Sequence, residues 1–460
     1  MLQDLISAKK ALFGPGAHTE LRMQRNRERN VMLLAGDIVE NNRSDIAGVS
    51  ARVYRGGRYG FSSMAECSAE AAERVLRAAA ENAAFMNAHA PGGKPALPSL
   101  PAGRVVCEVI HDPAQRVYTD FARALDNYIA EHCPKLVSRR IYATEDSMEK
   151  LLVVSDGTDA HTVLPRSYVY VFMTAETDAG TPVELYHAFG GERTFDLNFT
   201  DPAAYFQDID RLYERLMQKR EGVYADAGLR TVILGGELTG MLSHEAVGHT
   251  VEADLVLGGS VAGRCLGKPV ASELVSLTDF AHTAFGKRCP LPVFVDDEGT
   301  LARDAKIIEN GILTGYMHSR ESAQRFGMEP CGNARAWLFS DEPLIRMRNT
   351  AIHPGKDKLE DMIASVDEGY YLISTNNGQA DTTGEFMFGI TMGYEIKNGK
   401  LGRALLDTTI SGVAFEMLKT VDMVSDQVEW ESSGFCGKKQ PMPVGLGGPA
   451  LRCKVMIGGR

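Results

Sequence analysis

Residues 163–174 read V-L-P-R-S-Y-V-Y-V-F-M-T, and this stretch does most to define the fold class. From Tyr168 onward its aromatic and β-branched residues alternate, which is typical of a β-strand with one covered face. The runs 137–145 and 150–155 have the same character. An Asp156-Gly157 pair stands between the second run and the strand at 161–174, and this pair favours a hairpin turn.

Further upstream, the strand-like runs Val31–Val39 and Ile46–Tyr54 are followed by a turn at residues 55–58. Helical periodicity appears at Ser68–Phe85, where small and apolar residues recur every three or four positions, and again at Pro202–Arg220. We therefore predict an N-terminal α+β domain over residues 1–190, in which helices accompany an antiparallel sheet. The boundary region is predicted at 191–225.

The second half of the chain has short β-rich runs separated by Asn-Gly or single glycine turns, with glycine dense from residue 378 onward. Regularly spaced short strands of this kind favour a barrel-like or sandwich-like domain. Two helical interruptions are predicted, near 238–256 and 357–368. The expected fold class is α+β, with a mainly β C-terminal domain over 226–460 that carries the helix near 238–256.

Composition excludes several classes of protein. The 460 residues are 44% hydrophobic and 24% charged, as in ordinary globular chains. A formal net charge of −11 disfavours direct binding to nucleic acid, which requires neutralisation of phosphates. The first ten residues lack a signal-peptide pattern, there is no 18-residue apolar run, and the eight cysteines form no C-x-x-C pair. We therefore expect a cytoplasmic protein with no membrane contact.

Residues 238–255 read L-T-G-M-L-S-H-E-A-V-G-H-T-V-E-A-D-L and carry the chemistry. They place His244, Glu245 and His249 within six residues of an otherwise apolar helix. Two imidazoles and a carboxylate are the groups of a hydrolytic zinc site, in which the histidines bind the ion and the glutamate accepts a proton from water. The spacing is H-E-x-x-x-H.

This spacing does not suit a regular α-helix. At about 100° per residue, five steps leave the two rings about 140° apart, whereas four steps bring them within about 40°. A π-bulge would restore the geometry, and Gly248 is the natural place for it. The alternative is a core histidine beside a surface histidine, with Glu245 solvated. Taken alone, the pattern leaves both interpretations open. Glu252 and Asp254, which follow the motif, are candidates to orient a ligand histidine, although surface acids are the expected interpretation.

The block 235–254 resembles the signature of the TldD/PmbA family, once named modulators of DNA gyrase and now regarded as metallopeptidases. Further matching motifs follow in order: V-A-S-E-L (270–274), D-D-E-G-T (296–300), E-N-G-I-L-T-G-Y-M (309–317), G-N-A-R (332–335), R-M-R-N-T (346–350), P-G-K (354–356), N-G-Q-A-D (377–381) and S-G-F-C-G-K (433–438). The resemblance covers the second domain almost end to end and the first domain more loosely. The TldD-like branch keeps H-E-x-x-x-H, as this chain does.

The resemblance implies a zinc-dependent peptidase with one ion per chain. His244, His249 and Cys436 would be the ligands, and Glu245 would act as general base and then as general acid. It further implies that unfolded or extended peptides reach a site between the two domains. The chain would pair as a homodimer, or as a heterodimer with a PmbA-like partner. Arg335 and Asn349, in two of the matching motifs, are candidates for binding substrate.

Two other functions remain possible on the sequence. One is a non-catalytic modulator that binds a topoisomerase, which predicts that Glu245→Gln leaves function intact. The other is an inactive scaffold whose metal only stabilises the fold, which predicts metal-dependent stability without hydrolysis.

Overall fold

The computed structural model describes residues 9–89, 96–106 and 112–458. The first eight residues, which bear on the predicted absence of a signal peptide, lie outside the described residues. The helices are α1 (Ala69–His89), α2 (Gln115–His132), α3 (Phe195–Asn198), α4 (Phe206–Arg220), α5 (Gly236–Met241), α6 (Ala253–Leu257), α7 (Arg320–Phe326), α8 (Leu359–Ala364) and α9 (Ala414–Leu418). A π-helix spans Leu242–Gly248, and 3₁₀ helices span Lys9–Leu12, Pro202–Tyr205, His249–Val251 and Val261–Arg264.

The strands, in chain order, are β1 (His18–Leu34), β2 (Asp37–Arg55), β3 (Arg58–Met64), β4 (Arg104–Val106), β5 (Ser138–Val154), β6 (Asp159–Glu176), β7 (Pro182–Glu192), β8 (Gly228–Leu234), β9 (Leu277–Phe280), β10 (Thr283–Ala284), β11 (Lys287–Arg288), β12 (Ala305–Glu309), β13 (Ile312–Leu313), β14 (Ala334–Arg335), β15 (Leu344–Ile345), β16 (Asn349–Ile352), β17 (Glu368–Ala380), β18 (Glu385–Lys397), β19 (Lys400–Ala404), β20 (Thr408–Val413), β21 (Met423–Val424), β22 (Glu429–Glu431), β23 (Phe435–Cys436), β24 (Met442–Pro443), β25 (Gly445–Gly448) and β26 (Leu451–Ile457). The α+β fold class is confirmed.

The first sheet has the order β3-β2-β1-β5-β6-β7, with all of these neighbours antiparallel, and β4 pairs in parallel with β6. Its strands are longer than predicted. The predicted single strand Val31–Val39 is wrong, because Ala35 and Gly36 form the turn from β1 to β2. The predicted break at 146–149 is also wrong. Asp146 lies inside β5, where its charge is paired with Arg166 of β6, so the polar residues do not interrupt the strand.

One face of this sheet carries the helices. Leu21 and Val49 pack with α1, and Val31 and Ile141 pack with α2. α4, in the predicted boundary region 191–225, inserts its apolar face into the same core as α2. The position of the domain boundary stays a prediction.

The other face of the sheet meets the second half of the chain at β1, whereas residues 169–175 of β6 alternate between buried and half-buried, as predicted. Arg22 of β1 donates hydrogen bonds to the backbone carbonyls of Leu338 and Asp341. Gln24 and Asn26, next on the same face, both donate to the carbonyl of Trp337. Polar side chains on this face therefore donate hydrogen bonds to backbone carbonyls in the second half of the chain.

The second half of the chain contains a barrel, which is one of the two predicted alternatives. Its five strands follow the order β17-β8-β26-β20-β18, and pairing between β17 and β18 closes the ring. A second sheet has the order β13-β12-β9-β16-β25-β22. The helical segment 236–257 contacts both sheets, through β17 of the barrel and through β16 and β25. Within the described residues, no helix has the length and hydropathy needed to cross a membrane.

Candidate metal centre

The segment that carries H-E-x-x-x-H is not a continuous α-helix. α5 passes into the π-helix Leu242–Gly248, and the 3₁₀ turn His249–Val251 follows. The N–H of His249 donates to the carbonyl of His244, five residues back, as a π-helix requires. The extra residue in this turn compensates for the long spacing. The structure thus has the local irregularity that the spacing predicts.

The side chains of His244, His249 and Cys436 converge. One donor atom from each lies within 4.8 Å of the other two. The imidazole centroids are 5.1 Å apart with the rings nearly perpendicular, and Cys436 Sγ lies 3.5 Å from His249 Nε2. Tetrahedral zinc, with bonds of about 2.1 Å to nitrogen and 2.3 Å to sulfur, places such ligands about 3.6 Å apart. The donor set and its spacing therefore fit a zinc ion.

His244 supplies an independent test of this fit. Its side chain is only 1% exposed, and neither ring nitrogen has a hydrogen-bond partner among the residues that the structure describes. A buried polar group without a partner carries a free-energy cost that native structures rarely accept. Coordination of a metal would satisfy Nε2 or Nδ1, so the buried imidazole fits the role of a ligand better than that of a core histidine.

Glu252 orients the second histidine. Its buried carboxylate accepts a hydrogen bond from Nδ1 of His249 at 2.7 Å, which leaves Nε2 directed towards Cys436. A carboxylate on the far nitrogen of a ligand histidine sets its tautomer and raises its basicity. Lys438 lies 3.3 Å from Glu252 and 2.7 Å from Asp254. Glu252 is therefore not a surface acid, and the geometry supports the alternative interpretation, in which it orients a ligand histidine.

The neighbouring imidazoles favour the thiolate form of Cys436, which is the form that binds a metal. Burial raises the pKa of Cys436, but the imidazoles of His244 and His249 outweigh burial and lower this pKa to about 3. Burial lowers the pKa of His249, whereas Cys436 and Glu252 raise it to about 10. Without metal, the site therefore holds a thiolate paired with an imidazolium at neutral pH.

The loop bearing Cys436 is held by both domains. From the C-terminal domain, Arg346 donates to the carbonyl of Cys436 at 2.6 Å. From β6 of the N-terminal domain, Tyr168 donates to the carbonyl of Ser432 at 2.6 Å. Tyr170 likewise donates to the carbonyl of Ser433 at 2.8 Å. These tyrosines alternate along the strand that first defined the fold class, but the sequence did not indicate what their hydroxyls bind.

Glu245 lies next to the three side chains that could bind a metal, but it is not one of the three. Its carboxylate oxygens lie 3.9 Å from His244 Nε2 and 3.7 Å from His249 Nε2. Its side chain is 25% exposed, which makes it the most accessible group of the site. A carboxylate in this position can exchange protons with water or substrate at the centre.

Comparison with known proteins places this chain in a family. The C-terminal domain of the PmbA/TldA metallopeptidases matches residues 227–459, and domain 1 of the same family matches residues 19–83. A zinc metalloprotease TldD homolog from Saccharolobus solfataricus is 31% identical over 76% of this chain and 75% of its own length. A metalloprotease from Methanothermobacter thermautotrophicus is 30% identical over 96% of this chain and 95% of its own length. The chain belongs to the PmbA/TldD family. It is a metallopeptidase.

Solved structures share the fold of this PmbA/TldD chain. TldE from Thermococcus kodakarensis matches with a TM-score of 0.76 at 17% identity, covering 100% of both chains. A putative modulator of a DNA gyrase from Thermotoga maritima matches with a TM-score of 0.77 at 18% identity, covering 99% of both. At this identity the likeness concerns the fold alone.

The two candidate substrate-binding residues have different environments in the PmbA/TldD fold. Asn349 is fully buried, and its amide bonds to backbone groups of Phe280, Ala281 and Leu291. Its donors and acceptor are thus committed to the protein, and this geometry does not support a role in substrate binding. Arg335 is also buried, but it lines a cavity between the domains.

Replacement of Glu252 tests the orienting carboxylate. In Glu252→Gln, His249 loses the charged acceptor on Nδ1, and we expect zinc affinity to fall about 10- to 100-fold. Competition with a chelator of known affinity measures this change. Asp254→Asn is the matched control, since it removes a neighbouring negative charge that contacts Lys438 but not His249. An equal loss in both variants would contradict the orienting role.

At Gly248, within the π-helix, an added side chain would crowd its neighbours. A Cβ there would lie 2.1 Å from Met347 Sδ and 3.0 Å from the carbonyl oxygen of Ser243. We expect Gly248→Ala to lower the free energy of unfolding by about 1–3 kcal/mol, as overpacking does, and to weaken zinc binding. Urea denaturation and chelator competition check both effects. Gly434→Ala is the control, because a Cβ at that position meets nothing within 4 Å.

Metal uptake should depend on pH with a defined sign. Because the pKa of His249 is about 10 without metal, its imidazole must lose a proton to bind zinc, whereas Cys436 is already a thiolate. Raising the pH therefore favours binding, and the affinity should increase about tenfold per unit, or about 100-fold from pH 7 to pH 9. Chelator competition corrected for the chelator's own protonation measures this slope. A flat profile would contradict the thiolate–imidazolium pair.

Proposed function

We propose that the chain is a zinc-dependent peptidase in which His244, His249 and Cys436 hold one ion. The observation that carries this proposal is the convergence of the three donor atoms within 4.8 Å, with the carboxylate of Glu245 beside them. Two imidazoles and one thiolate leave a tetrahedral position open, as catalytic zinc sites require. When bound, the ion would supply Lewis acidity, which acidifies water and polarises a carbonyl oxygen.

The protein side chains around the ion have separate roles in this proposal. Glu245 accepts a proton from the attacking water and then delivers it to the leaving amine, because its carboxylate is the accessible acid of the site. Glu252 keeps His249 in the tautomer whose Nε2 faces Cys436. Arg346, Tyr168 and Tyr170 hold the loop of Cys436 by its backbone, so that the thiolate stays at its position.

The substrate of this proposal is an unfolded or extended peptide. His244 and Cys436 are buried, and the loop of Cys436 runs between the two domains, so a folded surface is too bulky to approach the centre. An extended chain presents its backbone without bulk and can add to a sheet edge by main-chain hydrogen bonds. We further propose a cytoplasmic location and a dimer, either of this chain or with a PmbA-like partner. The fold shared with TldE is consistent with such a partner.

Metal analysis together with a hydrolysis assay tests the proposal. Gently purified protein should contain about one zinc per chain and should cleave a denatured polypeptide, whereas a chelator should abolish cleavage. No zinc, even after addition under reducing conditions, would overturn the proposal. Zinc that stabilises the fold without hydrolysis of any peptide would favour the scaffold function. Topoisomerase modulation that persists in Glu245→Gln would favour the modulator.

A further inference from the structure

A cavity of about 350 Å³ lies between the two domains, apart from the metal ligands. One wall is formed by β5, β6 and residues 192–197 of the first half, and the opposite wall by residues 288–297 and Arg335. Much of the lining is apolar, including Val163, Leu164 and Val293. An apolar cavity with a few polar groups at a domain interface is typical of ligand sites.

Arg335 is the exceptional group in this cavity. Its side chain is 4% exposed, and its guanidinium donates one hydrogen bond, from Nη1 to the carbonyl of Met347 at 2.7 Å. In the described part of the chain this guanidinium makes no second hydrogen bond and no ion pair. Burial, and next the neighbouring Arg346, lower the pKa of Arg335 to about 9, although Asp297 opposes them. A buried, incompletely paired guanidinium is costly without an anion.

The acidic groups of the same cavity are already engaged. Asp297 accepts from Lys150 at 2.6 Å and from the N–H of Ala336 at 2.7 Å. Asp296 accepts from three backbone N–H groups, those of Glu298, Thr300 and Ala334. Arg193 also lines the cavity but is exposed, so the buried charge that remains available to a ligand is the positive charge of Arg335. A guanidinium matches a carboxylate, because two parallel N–H groups can bind its two oxygens.

The cavity adjoins the metal centre through two side chains. Met148 lines the cavity and lies in one buried apolar cluster with Met442 and Trp337, and Met442 pairs with Cys436 across β23 and β24. A cross-strand step of about 5 Å and a side-chain contact of about 4–5 Å place the cavity wall on the order of 10 Å from Cys436. An extended peptide covers this distance in about three residues.

We propose that this cavity binds a carboxylate of the substrate peptide, with Arg335 as its ion-pair partner, about three residues from the bond that is cut. The proposal rests on the proposed peptidase function. The carboxylate is either the C-terminus of the peptide or the side chain of an aspartate or glutamate. The apolar walls hold the aliphatic part of the same residue. The chain would thereby prefer peptides with a negative charge at a fixed distance from the cleaved bond.

Peptide binding tests this proposal without depending on turnover. The probes are fluorescent extended peptides of one sequence, made with a free C-terminal carboxylate, with a C-terminal amide, and as amides with Glu or Gln at each internal position. Anisotropy titrations use the full chain loaded with zinc, carrying Glu245→Gln so that the peptides stay intact. We expect a carboxylate peptide to bind about 10- to 100-fold more tightly than its neutral analogue, as a buried charge-assisted hydrogen bond provides.

The variants assign this preference to one residue. Arg335→Gln should remove it while neutral peptides still bind, and Arg335→Lys, which keeps a point charge, should retain part of it. Arg25→Gln outside the cavity is the control, because Arg25 is 45% exposed and is paired with both carboxylate oxygens of Asp45. We expect this control to keep the preference. The amide series with internal Glu distinguishes a C-terminal carboxylate from an acidic side chain.

Two results would overturn the proposal: equal binding of charged and neutral peptides by the parent protein, or an undiminished preference in Arg335→Gln. Cleavage assays on the chain with Glu245 intact report separately on the peptidase function. Cleavage of neutral peptides with no charge preference would refute the subsite alone. If no peptide is cleaved, the peptidase function fails, and the binding titrations still decide whether Arg335 selects a carboxylate.

Discussion

Glu245→Gln should leave zinc bound and abolish peptide hydrolysis. The amide keeps the shape of the side chain but cannot accept a proton from water, and general acid–base catalysis contributes about 10²- to 10⁴-fold to such rates. We therefore expect kcat to fall by about a thousandfold, while zinc content stays near one per chain because Glu245 is not a ligand in the proposed site. Single-turnover hydrolysis of a denatured polypeptide, with elemental analysis of the same sample, measures both quantities.

A control variant that removes a carboxylate elsewhere shows whether the loss of activity is specific to Glu245. Glu309→Gln removes a carboxylate that forms a surface ion pair with Lys306 at 2.9 Å, and its activity should equal that of the parent protein. Retention of more than about a tenth of the activity in Glu245→Gln would be too much for loss of the principal proton acceptor. That outcome would contradict the catalytic role of Glu245 while leaving the metal site in place.

Cys436→Ser should empty the metal site. The thiolate is replaced by a neutral hydroxyl, which is a weak zinc ligand. Loss of a group that only orients a ligand costs about 10- to 100-fold in affinity, so loss of a ligand itself should exceed about 100-fold. We expect zinc content to fall from about one per chain to near zero after dialysis, and hydrolysis to disappear with it. A cobalt-substituted sample should also lose its thiolate-to-cobalt charge-transfer absorption.

Cys265→Ser serves as the control for this variant. Cys265 is half-buried and donates a weak hydrogen bond from Sγ to the carbonyl of Val261, which a serine hydroxyl can replace. Its zinc content should match that of the parent. Full zinc occupancy in Cys436→Ser would contradict the His–His–Cys ligand set, and a site completed by Glu245 would then become the alternative, because Glu245 lies within 4 Å of both histidines.

Local pattern predicted much of this architecture. The alternation in β6 identified a sheet, and the Asp156-Gly157 turn separated β5 from β6. Short strands separated by glycines indicated a barrel-like or sandwich-like second half, and the structure has a barrel. The errors arose where strands are long. The sequence pattern placed the turn residues 35–36 inside one strand. It also predicted that the polar residues 146–149 interrupt a strand. Burial of Asp146 against Arg166 depends on a neighbouring strand, which a local pattern does not include.

The sequence by itself determined the irregular helix, because the spacing of His244 and His249 cannot serve one ion from a regular α-helix. It also supplied Glu245, whereas Cys436 was identified only through the family resemblance. Tertiary structure alone decided that Glu252 is buried against His249, that Tyr168 and Tyr170 hold the loop of Cys436, and that the polar face of β1 is covered. The physical reason is that these contacts join side chains to partners close in space but mostly distant in sequence, many of them backbone carbonyls. Every residue has a carbonyl, so such partners leave no pattern in the sequence.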